Sequence, residues 1–158
     1  MHFFELMPDQ FDRVMLVFGA SLGAVVSFCF GGWTPGLTWL ACMAGVDFVL
    51  GTAAAWRSGE WNSDAGSRGV KRKVALFCFI SLAHGIDVTL AENGVSFFSL
   101  MSMTVTALTV TEAGSIVENI DRLGYGNLIP EVIRSGIQSA RGAVNKKFSK
   151  GSENGAKV

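Results

Sequence analysis

Four long apolar stretches dominate the pattern of hydrophobic and polar positions along this chain. They cover residues 14–30, 35–56, 74–91 and 95–117, and each contains at most two Asp, Glu, His, Lys or Arg residues. A bilayer core is crossed by about 17–25 helical residues, and all four stretches fit that range. Because hydrocarbon offers the backbone no water, a spanning segment must bond its own N–H and C=O groups, as a helix does. The pattern predicts an all-α membrane protein with four transmembrane helices within 14–122.

The distribution of positive charge predicts the orientation of these helices. The connections at 31–34 and 92–94 contain no Lys or Arg, whereas the connection at 57–73 contains five. All 13 basic residues lie before the first stretch, in that central connection, or after the fourth stretch. Cytoplasmic loops carry the excess of Lys and Arg in membrane proteins. We therefore expect both termini and the central connection in the cytoplasm, with residues 1–13 as a cytoplasmic segment.

A second kind of helix is predicted after the fourth stretch, within residues 123–149. Apolar residues recur there at helical spacing, namely Ile133, Ile137, Ala140, Val144 and Phe148. Polar residues occupy the opposite face, so the pattern is that of an amphipathic cytoplasmic helix. It could lie on anionic lipid, pack on a neighbouring subunit, or pack against its own bundle, and the sequence leaves these options open. Residues 150–158 read as a disordered tail.

Composition and motifs change the picture by excluding classes of function. Hydrophobic residues make up 49% of the chain and charged residues 16%, below the quarter or so of a soluble domain. The sequence contains no glycine loop for phosphate, no nucleophile elbow and no Cys/His cluster. We expect no enzymatic activity, no cofactor and no metal. The basic central connection is explained by orientation, so the expected partner is the lipid bilayer and not nucleic acid.

Four ionisable residues lie inside the apolar stretches: Asp47, His84, Asp87 and Glu112. Each costs at least about 2.5–3.5 kcal/mol near the bilayer centre, so each needs a reason to be there. They could line a wet path or a subunit contact that opens. They could instead pair inside the bundle, Asp47 with His84 for example, and fix its packing. A proton-relay transporter is a third possibility, because Asp and His are its usual parts.

Small and hydroxyl side chains mark two candidate association faces. The fourth stretch carries hydroxyls at spacings of three and four, namely Ser99, Ser102, Thr106 and Thr109. Such a stripe is either a packing seam or a pore lining. The first stretch contains Gly19-x-x-x-Gly23, a small-residue face that favours helix self-association, and Gly51 of the second stretch is a further residue expected to serve helix packing.

From Asp47 to Pro130 the sequence resembles a known family. The residues that carry the resemblance are Asp47-Phe-Val-Leu-Gly51, Gly69-Val-Lys71-Arg72-Lys73, Ile86-Asp87, Glu112-Ala-Gly-Ser115-Ile-Val-Glu118-Asn119, Gly124 and Ile129-Pro130. In order and spacing they are similar to the holins shared by phage lysis cassettes and clostridial toxin-secretion loci. The match departs at Phe48, where the family often has tyrosine.

The resemblance implies a homo-oligomer in the bacterial cytoplasmic membrane that opens at a set time and releases an endolysin, or in relatives a toxin. An antiholin is a further expected partner. It also implies a role for Glu118 and Asn119 in assembly or gating, and Glu118 is spaced to pair with Arg122. We hypothesise that packed oligomers hide Asp47, Asp87 and Glu112, and that a fall in membrane potential exposes them. The alternatives are a small ion channel or transporter, and a non-porous scaffold or holin antagonist.

Overall fold

The computed structural model describes residues 10–95 and 99–155, and the regular elements in this part of the chain are all helices. The elements in chain order are α1 (Gln10–Phe30), α2 (Pro35–Arg57), α3 (Ser63–Glu92), α4 (Leu100–Arg122), a 3-10 turn (Gly126–Leu128) and α5 (Glu131–Gly155). Helices α1 to α4 are each long and apolar enough to cross a membrane. The all-α class with four candidate spans is therefore confirmed, and the orientation of the termini stays a prediction.

The chain divides into two compact units, one ending at Trp33 and one beginning at Thr34. The first unit contains α1, a helix of 21 residues without a basic residue in its last turn. Gly19 and Gly23 lie one turn apart on one face of it, as the small-residue pattern requires. Their role in self-association stays a prediction.

In the second unit α4 packs against α2, α3 and α5, whereas α2 and α3 touch each other at few positions. Helices α2 and α4 run in the same direction, because Gly36 lies against Val105 at one end and Gly51 lies against Asn119 further along. The apolar core consists of Leu37, Leu40, Ala44, Ala54, Leu76, Ile80, Ala83 and Val105. All but Ala54 lie in the half of the unit that holds the start of α2 and the end of α3. The other half is left to polar side chains.

Helix α3 begins earlier than the hydropathy pattern predicted. It starts at Ser63, so Lys71, Arg72 and Lys73 lie on a helix and not in the basic loop we expected. Ser63 and Asp64 are typical helix-start residues, and hydropathy detects only the part of a helix that faces lipid. The segment that precedes the apolar stretch is thus a polar extension of the same helix.

The other boundaries shift by smaller amounts. Helix α4 begins at Leu100 and ends at Arg122, each five residues later than the predicted stretch. Helix α5 starts directly after Pro130 and runs to Gly155, so the tail predicted to be disordered is helical over 150–155. The predictions for residues 1–9, for residues 96–98 of the fourth stretch and for residues 156–158 lie outside the described residues.

Candidate functional site: an ion cluster above a polar cleft

Two carboxylates reach the same height in the bundle because of where they sit on parallel helices. Asp47 lies ten residues before the end of α2 at Arg57, and Glu112 lies ten residues before the end of α4 at Arg122. At 1.5 Å per residue each carboxylate is about 15 Å from its helix end. Helix α3 runs the opposite way and brings Lys73 to this height from its own polar first half.

Lys73 joins the two carboxylates. Its Nζ donates to Asp47 Oδ2 at 2.6 Å and also to Glu112 Oε2. The side chains are 16% (Lys73), 13% (Asp47) and 2% (Glu112) exposed, so all three are removed from solvent. Charges at such depth persist when they are paired and hydrogen-bonded. We call Asp47, Lys73 and Glu112 the ion cluster. It joins all three helices of the bundle and carries two negative charges for one positive.

Asn119, which lies near the end of α4, adds a further hydrogen bond to the ion cluster. Its Nδ2 donates to Asp47 Oδ1 at 2.9 Å. Gly51 makes this reach possible, because a Cβ at that position would lie 3.3 Å from Asn119 Nδ2. Gly51, predicted to serve helix packing, therefore lies at the contact of α2 and α4 beside the cluster.

A polar cleft of about 320 Å³ lies on the side of the ion cluster that faces the ends of α2 and α4. Helices α2, α3 and α4 all contribute to its lining, which includes Asp47, Thr52, Gly69, Arg72, Ser115 and Asn119. The ring of Phe48 lies against Gly69, where a Cβ would approach the ring to 3.1 Å. There is room for the cleft because α2 and α3 touch each other at few positions while α4 packs against both.

The other two predicted ionisable residues lie far from the ion cluster. Asp87 is fourteen residues beyond Lys73 on α3, and its carboxylate caps the start of α4. Oδ1 accepts from Leu100 N at 2.7 Å, and Oδ2 accepts from Met101 N and Ser99 Oγ, both at 2.9 Å. A carboxylate at a helix N-terminus satisfies N–H groups that lack a partner within the helix. His84 lies one turn before Asp87 and makes no hydrogen bond within the described residues.

The pairing that the sequence suggested between Asp47 and His84 is therefore wrong. Asp47 pairs with Lys73, and His84 lies eleven residues beyond Lys73 on α3. The sequence left open whether these residues line a wet path, relay protons or pair inside the bundle. Within one chain, the carboxylates of Asp47, Glu112 and Asp87 all have partners inside the bundle.

The hydroxyl stripe of α4 is bonded to its own helix. Ser99 Oγ accepts from Ser102 N at 3.1 Å, and the hydroxyls of Thr106 and Thr109 each donate at 2.8 Å to the carbonyl four residues earlier. Ser99, Ser102 and Thr106 are exposed in the single chain. The stripe is thus not the seam of this bundle, and its use toward lipid or a second copy stays a prediction.

Helix α5 runs antiparallel along α4 and is held there by two arginines. Arg134 donates to both carboxylate oxygens of Asp121, at 2.8 and 2.5 Å. Arg141 donates to Glu118 Oε1 at 3.1 Å and to Thr111 O at 3.4 Å. Packing on the chain's own bundle is therefore what the structure shows for this helix.

The partner of Glu118 differs from the expected one. Glu118 pairs with Arg141 of α5, while Arg122 pairs with Glu60 at 3.4 Å through exposed side chains. Gly114 lies beneath Arg141, and a Cβ there would collide with the guanidinium. Glu118 pairs with Arg141 and not with Arg122 because α5 approaches α4 at Gly114, where the guanidinium can lie flat on the helix.

Sequence reasoning missed Lys73 as the counter-charge of the cluster. The sequence did contain a signal for this role. Lys73 lies directly before the third apolar stretch, in a bundle whose two carboxylates need a counter-charge. Among the described residues, no group of three or more His, Cys, Asp or Glu side chains is placed to hold a metal ion.

A family model described as the bacteriophage holin family matches residues 24–141, three quarters of the chain. The chain belongs to the bacteriophage holin family. The match confirms the resemblance found over residues 47–130 and extends it in both directions. It includes the whole ion cluster, the polar cleft and the part of α5 that carries Arg134 and Arg141. Holin-family membership and the four apolar helices together make this a holin-like, multi-pass membrane protein.

Uncharacterised bacterial proteins are among those to which the chain is similar. One from Halalkalibacterium halodurans is 36% identical over 128 residues, covering 80% of this chain and 93% of that protein. One from Listeria monocytogenes is 30% identical over 129 residues, covering 78% and 84%. A 14.9 kDa protein of the nagH 3′ region of Clostridium perfringens is 28% identical over 127 residues, covering 80% and 90%. No solved structure gives a significant match.

Proposed function

We propose that this chain is a holin that forms homo-oligomers in the bacterial cytoplasmic membrane and opens a hole at a set time. The hole would release an endolysin, or in a secretion setting a toxin, to the cell-wall side. Both termini and α5 would lie in the cytoplasm. The observation that carries the proposal is a bundle of the holin family whose three core helices are joined by one buried ion cluster.

The ion cluster suits a closed state that must be able to open. An apolar seam would hold the bundle equally well but would offer nothing to water. Separating the charges of Asp47, Lys73 and Glu112 costs much free energy in lipid. In a water-filled hole the same separation costs little, because water solvates each charge. Opening would therefore move these side chains from one another to the lumen.

Membrane potential can act on such a cluster. Moving one elementary charge across the membrane is worth about 2.3 kcal/mol per 100 mV, which is comparable to the cost of one buried carboxylate. With both carboxyl groups and the ammonium group ionised, the cluster would carry one excess negative charge inside the bundle. A potential that favours the closed position of this charge would hold the bundle shut, and its collapse would release it.

The partners follow from the same arrangement. Lipid surrounds the apolar helices, and other copies of the chain would supply the walls of a hole wider than one bundle. The face with Gly19 and Gly23 on α1 and the hydroxyl stripe of α4 are the surfaces proposed for contact between copies. An antiholin would act on the cytoplasmic side through α5.

A small-ion channel is the second candidate, because the polar cleft reaches the ion cluster from one side. A channel would conduct ions through the same charged residues without passing a folded protein. A non-porous scaffold or antagonist would leave the membrane sealed. The three functions predict different permeabilities, so one experiment separates them.

The test is induced expression in a bacterial host together with an endolysin that lacks a signal sequence. Optical density and membrane potential are followed together, and a depolarising agent is added before the natural collapse. The proposal predicts abrupt lysis that requires both proteins and comes early with the depolarising agent. Depolarisation with the endolysin retained inside indicates the ion channel. A sealed membrane, with insertion verified, indicates the scaffold or antagonist.

A further inference from the structure

Among the described residues that line the polar cleft, one cationic side chain makes no ion pair. The charged side chains of its lining are Asp47, Arg72, Lys73, Glu118 and Arg122. Four of them form ion pairs, within the cluster or with α5 and the α2–α3 connection. Arg72 makes no ion pair or hydrogen bond within the described residues. The cleft therefore presents a free guanidinium beside the buried ammonium of Lys73.

The cleft also offers a neutral donor and open space beside Arg72. Ser115 brings a hydroxyl to the lining, and the glycines Gly66 and Gly69 present no side chain on the α3 wall. The hydroxyl of Thr52 already donates to Phe48 O at 2.8 Å. The acceptor oxygens of Asp47 are also taken, Oδ1 by Asn119 and Oδ2 by Lys73. An incoming anion would thus meet the Arg72 guanidinium and the Ser115 hydroxyl before the carboxylate of Asp47.

The mouth of the cleft has the features of a membrane interface. Trp61 lines the cleft and stacks edge to face with Trp56, with ring centroids 5.6 Å apart. Both indoles are partly exposed, at 43% and 66%. Trp side chains concentrate at the level of lipid headgroups, and basic pockets between transmembrane helices on the cytoplasmic side bind anionic headgroups.

We propose that the polar cleft binds the phosphate group of an anionic phospholipid of the cytoplasmic leaflet, with Arg72 as its principal ligand. The guanidinium matches a phosphodiester because it can donate two parallel hydrogen bonds to two oxygens. Bound phosphate would give the Arg72 side chain the partner that it lacks within the described residues. The assignment to the cytoplasmic leaflet rests on the proposed orientation of the helices. Binding itself does not depend on hole opening, so the site can be tested when the hole proposal fails.

The test measures thermal unfolding of the purified full-length protein in neutral detergent micelles. The probes are short-chain phosphatidylglycerol, short-chain phosphatidylcholine as the zwitterionic comparison, and soluble glycerol phosphate. The key variant is Arg72→Gln. Its matched control is Arg68→Gln, because Arg68 lies one turn earlier on α3, is exposed as Arg72 is, and does not line the cleft. Arg72→Lys keeps the charge without the planar fork.

Phosphatidylglycerol should raise the unfolding temperature of the native protein more than phosphatidylcholine does. In Arg72→Gln the half-saturating lipid concentration should rise about tenfold, the factor for one lost charged hydrogen bond. Arg68→Gln should stay within about twofold of the native protein, as expected for a surface charge. Arg72→Lys should fall between them, and it serves as the test if Arg72→Gln fails to fold.

The comparison of glycerol phosphate with lipid identifies the source of the phosphate. The comparison of the two variants decides whether the proposal holds. Protection by glycerol phosphate that is lost in Arg72→Gln supports the site and assigns it to a soluble phosphate ester. Protection by the lipid alone supports the headgroup assignment. Equal weakening in Arg72→Gln and Arg68→Gln means diffuse attraction to the micelle surface and overturns the proposal. No shift with phosphatidylglycerol also overturns it.

Discussion

Replacing Lys73 by methionine removes the one positive charge of the ion cluster while keeping the length of the side chain. Asp47 and Glu112 would then be left 13% and 2% exposed with no counter-charge between them. Removal of one partner of a buried ion pair costs about 3–5 kcal/mol, since the remaining charge stays in a poor solvent. We expect Lys73→Met to lose about that much free energy of unfolding, a factor of about 10²–10⁴ in the ratio of folded to unfolded protein.

The assay is denaturant unfolding in mixed micelles, read by far-ultraviolet circular dichroism, together with the lysis time in cells. Lys71→Met is the matched control, because Lys71 lies half a turn away on the same helix and is exposed. It should unfold like the native protein within about 0.5 kcal/mol. Lys73→Met should unfold far more easily and trigger early, or fail to accumulate.

A double variant separates the charge from the packing. Lys73→Met combined with Glu112→Gln removes the positive charge and one negative charge, and leaves Asp47 with its hydrogen bond from Asn119. Replacing a buried pair by neutral groups of similar volume is often close to neutral in stability. We expect the double variant to recover most of the lost free energy. If Lys73→Met and Lys71→Met unfold alike, the cluster does not hold the bundle and the reasoning is refuted.

Three further predictions follow from individual contacts. Gly51→Val should push Asn119 away and lower the free energy of unfolding by about 1–3 kcal/mol. Gly45→Val, at a site with open space on the same helix, should lower it less, and equal losses would contradict the contact between Gly51 and Asn119. Arg141→Glu should release α5 from α4 and shift the lysis time, and Arg141→Glu with Glu118→Arg should restore it; a double variant that behaves like the single one would contradict the pairing. Asp87→Ala should lose about 0.5–2 kcal/mol of stability, the usual value of an N-terminal cap, and an unchanged unfolding curve would show that α4 does not need it.

Hydropathy was sufficient for the existence of the helices and insufficient for their ends. The four apolar stretches correspond to α1 to α4 because lipid contact imposes the pattern directly on each segment. The first eleven residues of α3 were missed because they are polar on all sides, and a helix in water or headgroups leaves no hydropathy signal. Helix α5 was expected from its amphipathic spacing, but the spacing did not say that Arg134 and Arg141 would turn toward α4.

The candidate site could be predicted only in part because its contacts are long-range. Asp47 and Glu112 stood out through the cost of a carboxylate in an apolar stretch, which is a local property. Their partner did not, because Lys73 lies 26 residues from Asp47 and 39 from Glu112, and its charge was already explained by orientation. Asp87 likewise stood out as costly, but its use as the cap of α4 depends on how the chain turns between the two helices.

The central claim is that this protein makes a hole wide enough for a folded protein, and reconstitution tests it most directly. The purified full-length chain is incorporated into vesicles of bacterial lipids that contain both a small dye and a folded fluorescent protein. After the membrane potential is imposed and then collapsed, the account predicts release of both contents, and slower or absent release before the collapse. Release of the dye alone, or retention of both, would contradict the claim.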